Sequence, residues 1–242
     1  MLLLCTVVSL PLHASDDLGM WFGAGITKKV AKQLSVSVDG EWRLKDNISA
    51  TDRFVIGASV AYKPMKWLKM EGGYKYLHTR WAAEESAGGG KYYNTYWYPR
   101  HRVYAGVEGR MKTARWTFSL RERWVYTYRP EFDRHYMDID PSSDTFGEIS
   151  SKARDGAAEN VLRSRLAVEY NIRKCPLTPF GSVELYNSWN VEKIRYSVGA
   201  DYNLSKHQNV KVYYLFQDRK NHSLDDETID QHVIGVSYGY SF

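Results

Sequence analysis

The sequence predicts an all-β protein, an antiparallel transmembrane β-barrel of about 10–12 strands with short periplasmic turns and longer extracellular loops. The first observation behind this prediction is an alternation of apolar and polar residues that repeats from one end of the chain to the other. The second is a sorting of the connections by length, and the third is a final strand that ends on an aromatic residue.

The last thirteen residues, 230–242, form the clearest strand pattern. Bulky apolar side chains share one parity: Ile234, Val236, Tyr238, Tyr240 and Phe242. A soluble protein would have to cover such a row, whereas an outer-membrane barrel turns it toward lipid. The terminal Phe242 also resembles the C-terminal signal by which such barrels are recognised, so we expect the barrel-assembly machinery as a partner during insertion.

The same alternation predicts nine further strands, and helical periodicity is not convincing anywhere. They lie at about 33–45, 53–63, 68–76, 100–111, 116–129, 162–172, 179–188, 191–204 and 208–219. The segment 20–27 makes an eleventh, although single-chain bacterial barrels normally have an even number of strands. Either this segment is an inner or partial strand, or a twelfth strand lies within 80–97 or 130–158.

The predicted connections fall into two groups that alternate along the chain. Short turns lie at 63–66, 111–114, 173–178 and 205–208. Longer polar connections lie at 45–51, 80–97, 130–158 and 220–229. This alternation places the long loops together at one end, as in outer-membrane barrels, and a soluble sandwich has no reason for it.

The composition agrees with a membrane barrel. The 242 residues have a mean hydropathy of −0.51, and no apolar run reaches the roughly 18 residues of a membrane helix. Aromatic residues make up 14% of the chain, which fits girdles at the two membrane interfaces. A tyrosine-rich soluble β-sandwich is the alternative.

The net charge of +5 does not indicate nucleic-acid binding, because Lys and Arg are spread through the strands and do not cluster. They are expected to line a lumen or to meet the head groups of outer-membrane lipid and lipopolysaccharide.

The first residues, 1–14, look like the apolar core of a signal peptide with cleavage after Ala14. Residues 15–242 then form a single barrel domain in the outer membrane of a Gram-negative bacterium. No Lys or Arg precedes the apolar run, so the alternative is that translation starts upstream of Met1. After processing, Cys175 is the only cysteine, which excludes an intrachain disulfide and a cysteine metal cluster.

Strand parity places more cationic than anionic side chains on the side of the strands that faces the lumen. The predicted lumen charge network consists of Glu41, Arg43, Arg100, Arg102, Glu108, Arg110, Arg121, Arg123, Arg163, Arg165, Glu169, Glu184 and Arg195. The favoured interpretation is a lumen largely filled by pairs of Arg or Lys with Glu or Asp, in a non-enzymatic protein with a structural or ligand- or partner-binding role. The alternative is a narrow, porin-like, anion-preferring channel whose partner is a small anionic solute.

A lipid-modifying hydrolase of the outer membrane is the third hypothesis. It needs a nucleophile beside a base, and no Ser of the same outward parity lies beside His78 and His101, so no catalytic residue is predicted. No cofactor or metal motif is present in the sequence. Glu122 falls on an outward position, and a β-bulge at 121–123 is expected to turn it inward toward an arginine.

Several short segments together resemble a family of small bacterial outer-membrane proteins catalogued only as a domain of unknown function. They are Trp21, 32–43, 72–76, 99–102, the Arg-x-Arg at 163–165, 179–184 and the closing Tyr-x-Phe. The resemblance implies a β-barrel and supplies no activity. If Arg102, Arg163, Arg165 and Glu184 match recurring charged positions of that family, it implies a shared inward network that is structural before it is functional.

Overall fold

The computed structural model describes residues 17–220 and 230–242, and no helix occurs within them. The predicted signal peptide (1–14) and nearly all of the predicted loop 220–229 lie outside the described residues. The strands are β1 (Asp17–Lys29), β2 (Leu34–Lys45), β3 (Ala50–Met65), β4 (Leu68–Trp81), β5 (Glu84–Glu85), β6 (Lys91–Tyr93), β7 (Tyr96–Thr113), β8 (Trp116–Arg129), β9 (Phe132–Asp138), β10 (Ile149–Arg154), β11 (Ala157–Tyr170), β12 (Leu177–Asn187), β13 (Val191–Asn203), β14 (Gln208–Arg219) and β15 (Gln231–Ser241). Across the described parts of the chain, no helix is long and apolar enough to span a membrane.

Eleven strands close into a barrel, in the order β1-β15-β14-β13-β12-β11-β8-β7-β4-β3-β2. All neighbours pair antiparallel except β1 and β15, which pair parallel from Asp17↔Gln231 to Thr27↔Ser241. An odd number of strands that alternate in direction must close on one parallel pair. The segment 20–27 is therefore a full barrel strand, and the odd count needs no hidden twelfth strand.

The two long connections in which a twelfth barrel strand was considered, 80–97 and 130–158, contain the strands of a second, separate sheet. It has four strands in the order β10-β9-β6-β5. Its Phe132 stacks on the inward-facing ring of Tyr98 at 5.2 Å between ring centroids. The sheet is thus anchored to the rim of the barrel.

The barrel has a long-loop end and a short-turn end, as expected. Residues 82–95 and 130–156 lie at the long-loop end. The predicted alternation of short and long connections is wrong in two places. The long-loop end also carries the four-residue connection 46–49 and the three-residue connection 188–190. Asp46, Asn47 and Ile48 all have positive φ, which lets the chain reverse within 46–49.

The outer surface of the barrel is apolar and carries aromatic rings in rows. Near the long-loop end, Phe22, Trp42, Phe54 and Trp97 stack in sequence across four strands at 5.6, 6.3 and 5.8 Å. Near the short-turn end, Trp116 packs on Tyr170, and Tyr240 on Phe242. These rows match the aromatic girdles that flank the apolar band of outer-membrane barrels.

A small apolar core lies inside the barrel beside the parallel pair of strands. It consists of Trp21, Leu215 and Val233, with the ring of Tyr213 packed against them. The Tyr213 ring covers the backbone of Gly235, where a Cβ atom would overlap it. Glycine at this position therefore allows an aromatic residue to fill the lumen next to the seam.

Candidate functional site

The interior of the barrel contains a cavity of about 350 Å³. Alternate residues of a strand point to the same side of a sheet, so the cavity wall is built from every second residue of nearly all the barrel strands. Eight arginines and three lysines contribute to this wall, together with four glutamates. The cavity is therefore lined mainly by cationic side chains.

Four arginines on two adjacent strands form the densest part of the wall. Arg121 in β8 lies directly opposite Arg165 in β11, and Arg123 lies directly opposite Arg163. Like charges placed directly opposite one another destabilise a sheet. We call these four residues the arginine quartet.

Two glutamates from neighbouring strands offset part of this repulsion. Glu184 in β12 accepts hydrogen bonds from Arg121 at 2.5 Å and from Arg163 at 2.9 Å. The hydroxyl of Tyr186 donates to the same carboxylate at 3.1 Å. Glu71 in β4 accepts from Arg123 at 3.0 Å and also pairs with Lys69. Three of the four guanidinium groups thus have a carboxylate partner.

The fourth member of the quartet, Arg165, differs from the others. Among the described residues, no carboxylate lies within ion-pair distance of its guanidinium, although Glu184 faces it across the β11–β12 pair. In addition, the buried Nε atoms of Arg121, Arg123 and Arg163 have no hydrogen-bond acceptor within the same part of the chain. Arg165 is therefore the member of the quartet whose side chain lines the cavity without a carboxylate partner in the described structure.

The opposite wall is built around Trp21. Its ring lies 3.8 Å from the guanidinium carbon of Arg43 and 5.2 Å from that of Arg195. Arg43 pairs with Glu41 at 2.5 Å, while Arg195 donates to the side-chain oxygen of Gln217 at 2.7 Å. An aromatic face between two cations is stabilised by cation–π attraction. Trp21 holds both guanidinium groups at the cavity surface.

The charge balance remains positive when partners behind the wall are included. Asp39 pairs with Lys75, Asp52 with Arg53, Glu71 with Arg123 and Asp201 with Lys211. With these four acids, eleven cations face eight acids, an excess of three positive charges in the described structure. The cavity is thus both heavily ion-paired and net cationic.

Nine of the thirteen predicted network residues line the cavity: Glu41, Arg43, Arg102, Arg121, Arg123, Arg163, Arg165, Glu184 and Arg195. The other four lie elsewhere. Arg100 is fully buried against Tyr98 toward the long-loop end. Glu108 and Arg110 pair with each other at 2.5 Å near the short-turn end, and Glu169 lies at that end opposite Thr117.

Several cavity residues were missed by sequence reasoning. Glu192 and Lys193 are buried together because a register shift next to Asn187 disturbs the alternation at the start of β13. Glu159 lines the cavity as the third residue of β11, at the long-loop end, in a segment that the pattern placed in a loop. The inward-facing rings of the wall, such as Trp21 and Tyr186, were not predicted, because the sequence analysis assigned the aromatic content to the girdles of the outer face.

Glu122 is not turned inward, and the expected bulge is wrong. The pairing of β8 with both neighbours is regular through Arg121, Glu122 and Arg123. Glu122 stays on the outer face, where the hydroxyl of Ser164 donates to its Oε2 at 2.6 Å. A polar partner on the adjacent strand therefore replaces the predicted arginine.

The two rim histidines lie among aromatic side chains. His78 stacks on Trp97 with ring centroids 5.0 Å apart. The Nδ1 atom of His101 lies 2.7 Å from the hydroxyl of Tyr74. Both histidines therefore belong to the girdle at the long-loop end. In the described residues, no group of three or more His, Cys, Asp or Glu side chains is arranged to hold a metal ion.

The connection between β9 and β10 is ordered by Asp138. Its carboxylate accepts hydrogen bonds from the hydroxyls of Thr145 at 2.6 Å and Ser143 at 2.8 Å, and from the Asp140 amide at 3.0 Å. These three donors hold the pKa of Asp138 below its usual range.

Two solved structures share this architecture. The β domain of the Bordetella autotransporter BrkA aligns with a TM-score of 0.54 and 12% identity, over 88% of this chain and 86% of that one. The translocator domain of the autotransporter NalP from Neisseria meningitidis aligns with a TM-score of 0.52 and 12% identity, over 79% of this chain and 70% of that one. At this identity the likeness shows the fold alone, which is that of outer-membrane β-barrels.

No curated protein matches the sequence. The profile of the family described as "Protein of unknown function (DUF2490)" matches residues 18–228, which include ten of the eleven barrel strands. The resemblance predicted from the sequence is confirmed, and the chain belongs to this family of proteins of unknown function.

Proposed function

We propose that this protein is a non-enzymatic, integral barrel of the bacterial outer membrane that binds small anionic solutes in its lumen. The observation that carries the proposal is the arginine quartet, in which two pairs of like charges lie directly opposite one another. Like charges directly opposite one another on neighbouring strands cost stability. A site that binds anions gains from this arrangement, whereas a purely structural plug would be better served by alternating charges.

The membrane location is supported by the outer surface. The rows of stacked aromatic rings flank an apolar band, and β15 leads to the aromatic end of the chain at Phe242. Outer-membrane lipid and lipopolysaccharide are the surroundings that this surface fits, and the barrel-assembly machinery is the partner that Phe242 fits. Heat-modifiable migration on a gel tests the membrane barrel, and identical mobility before and after boiling would contradict it.

The size of the cavity limits the solute. About 350 Å³ lies at the lower end of the range of small-molecule sites. A planar or tetrahedral oxyanion, or a small dicarboxylate, can receive hydrogen bonds from several guanidinium groups at once. Nucleic acids and folded partners do not fit inside such a lumen.

Passage of the same anions is the second candidate function. The excess of three cations favours anions over cations in a narrow pore, because rings of Arg and Lys select by charge. The ion pairs across the cavity favour binding of an anion over its rapid passage through the barrel. Planar-bilayer recordings separate the two: anion-selective current supports passage, and cation-selective current contradicts a cationic lumen.

Calorimetric titration of the purified barrel with phosphate, sulfate and succinate tests the proposal. Arg165→Gln is the sharpest variant, because it removes a guanidinium that has no carboxylate partner among the described residues and so leaves no described acid without its cation. We expect it to weaken anion binding by about tenfold, the loss of one charge-assisted hydrogen bond.

Arg110→Gln is the matched control. It removes a guanidinium from the same barrel, but from a pair at the short-turn end outside the cavity. Its anion affinity should equal that of the wild type. Absence of binding by the wild type, or equal loss in the two variants, would overturn the proposal.

A further inference from the structure

The short-turn end of the barrel carries a concentrated positive charge. Its five connections, taken with the residues that flank them, lie at 28–33, 63–67, 112–115, 171–176 and 204–208. These segments contain ten Lys or Arg residues and no Asp or Glu. All ten of these residues are exposed. We call them the turn ring.

The described connections at the long-loop end have the opposite charge. They lie at 46–49, 82–95, 130–156 and 188–190, and together they contain ten Asp or Glu residues against four Lys or Arg. Salt screens charges that are more than about 10 Å apart, so each end of the barrel acts mainly on ions at its own mouth. A small anion is therefore attracted at the short-turn end and repelled at the long-loop end.

Side chains inside the barrel close its long-loop half. The five largest fully buried side chains all lie in that half: Leu77, Tyr98, Arg100, Gln217 and Val233. Leu77 faces Arg100 across β4 and β7, whereas Gln217 and Val233 lie on β14 and β15, on the opposite part of the barrel wall. From the second sheet, Phe132 stacks on Tyr98. We call these five residues the Tyr98 layer, and they separate the cavity from the long loops.

The inward side of the short-turn half is more open. The ion pair of Lys211 with Asp201 lies in this half, and both side chains are 31% exposed. The ion pair of Arg53 with Asp52 lies in the long-loop half, and its side chains are only 4% and 7% exposed. Inward side chains of a barrel in a membrane meet solvent through the lumen, because lipid surrounds the outer face. Water therefore reaches the interior from the short-turn mouth.

We infer that small anions enter and leave the cavity through the short-turn mouth alone, attracted there by the turn ring. This inference rests on the proposed function and adds the side from which the ligand comes. Short turns of outer-membrane barrels face the periplasm, so the ligand is a small oxyanion of the periplasm. A surface of one charge raises the local concentration of counter-ions and their association rate by about 10- to 1,000-fold. Passage to the outside would require the Tyr98 layer to move.

Thiol modification of the purified barrel in detergent tests the entrance. In a Cys175→Ser background, Ser119→Cys places an inward thiol in the short-turn half, and Thr79→Cys places one in the long-loop half, where Thr79 is 4% exposed. We expect an anionic methanethiosulfonate to modify Ser119→Cys about a hundredfold faster than Thr79→Cys, because a buried thiol reacts only when the structure opens locally. Equal rates at the two positions would overturn the inference.

Charge neutralisation tests the role of the turn ring, with Ser119→Cys as the reporter. The ring variant removes one charge from each of four turns: Lys32→Gln, Lys66→Gln, Lys174→Gln and Lys206→Gln. The matched control removes four exposed acids at the long-loop end: Glu131→Gln, Asp133→Asn, Asp144→Asn and Glu148→Gln. At low salt the ring variant should slow the anionic reagent about tenfold, and 1 M salt should remove most of this difference. The control should leave the rate unchanged.

An unchanged rate in the ring variant would overturn the inference, and so would an equal change in the two variants. The thiol rates do not depend on a bound anion. Failure of the proposed function, seen as absence of phosphate and sulfate binding by calorimetry, is therefore distinguishable from failure of the entrance. Anion binding by the wild type together with an unreactive Ser119→Cys would overturn the entrance and leave the proposed function standing.

Discussion

Replacement of Glu184 by Gln is expected to destabilise the barrel strongly. The carboxylate is 8% exposed and accepts hydrogen bonds from Arg121, Arg163 and Tyr186. Without it, two guanidinium groups stay buried beside the other two members of the arginine quartet with no counter-charge. Loss of one partner of a buried ion pair costs about 3–5 kcal/mol. We expect the free energy of unfolding to fall by that amount.

Urea unfolding in detergent micelles, followed by gel mobility, measures this change. Glu108→Gln is the control, because Glu108 pairs with Arg110, whose side chain is 49% exposed. An exposed pair contributes about 0.2–1 kcal/mol. Equal losses in the two variants would refute the view that Glu184 neutralises a buried cationic cluster.

The same variant also tests anion binding. A bound anion replaces the missing carboxylate, so phosphate or sulfate should restore part of the lost stability. At a hundred times the dissociation constant, a ligand that binds only the folded state adds about 2.7 kcal/mol. The restored stability should be larger for Glu184→Gln than for the wild type. Equal gains would show that the anion does not bind where Glu184 lies.

Three further predictions concern the lumen and the loops. Trp21→Ala should destabilise the barrel by about 3–5 kcal/mol in the same urea assay, because the ring is 6% exposed and supports two guanidinium groups. Gly235→Ala should lower the free energy of unfolding by about 1–3 kcal/mol, because the added Cβ atom overlaps the Tyr213 ring. Adding Tyr213→Ala should remove most of that overlap. A double variant that is no more stable than Gly235→Ala would contradict this explanation. Because the pKa of Asp138 is lowered in the folded loop, its stabilisation is present above the ordinary value of 3.8 and is lost as the pH falls below it. The protection factors of the amides in 139–148 should fall between about pH 5 and 2 by a larger factor than they do in Asp138→Asn.

The strands were largely predictable, because alternation over a barrel wall is a period-two signal that each residue reinforces. The terminal strand was found almost to the residue, at Gln231–Ser241. The closure was not predictable, since parity arguments assume antiparallel neighbours throughout. The direct parallel pairing of β1 with β15 resolves the odd count that the sequence left open.

The candidate site was predictable as a composition and not as an arrangement. Inward parity identified the arginine quartet. It could not show that Glu184 would bridge Arg121 and Arg163, or that Arg165 would have no carboxylate partner in the part of the chain that is described. Those pairings depend on diagonal contacts between strands that are distant in sequence. The register shift next to Asn187 was not predicted either, because the two consecutive charged residues Glu192 and Lys193 do not show in the sequence which of them points inward.

The prediction for Glu122 was wrong because it assumed that every residue on the lipid-facing side of a strand is apolar. A carboxylate on a lipid-facing position suggested a local bulge, which would have kept the apolar face intact. The strand instead stays regular, and Ser164 provides a partner from the neighbouring strand.

A crystal structure of the barrel grown with selenate tests the central claim most directly, because anomalous scattering locates the anion without ambiguity. The account predicts a selenate ion inside the lumen, in contact with the guanidinium groups of Arg165 and at least one other member of the arginine quartet. The ion should be absent from crystals of Arg165→Gln grown under the same conditions. A lumen without selenate in wild-type crystals, or selenate bound only on the outer surface, would contradict it.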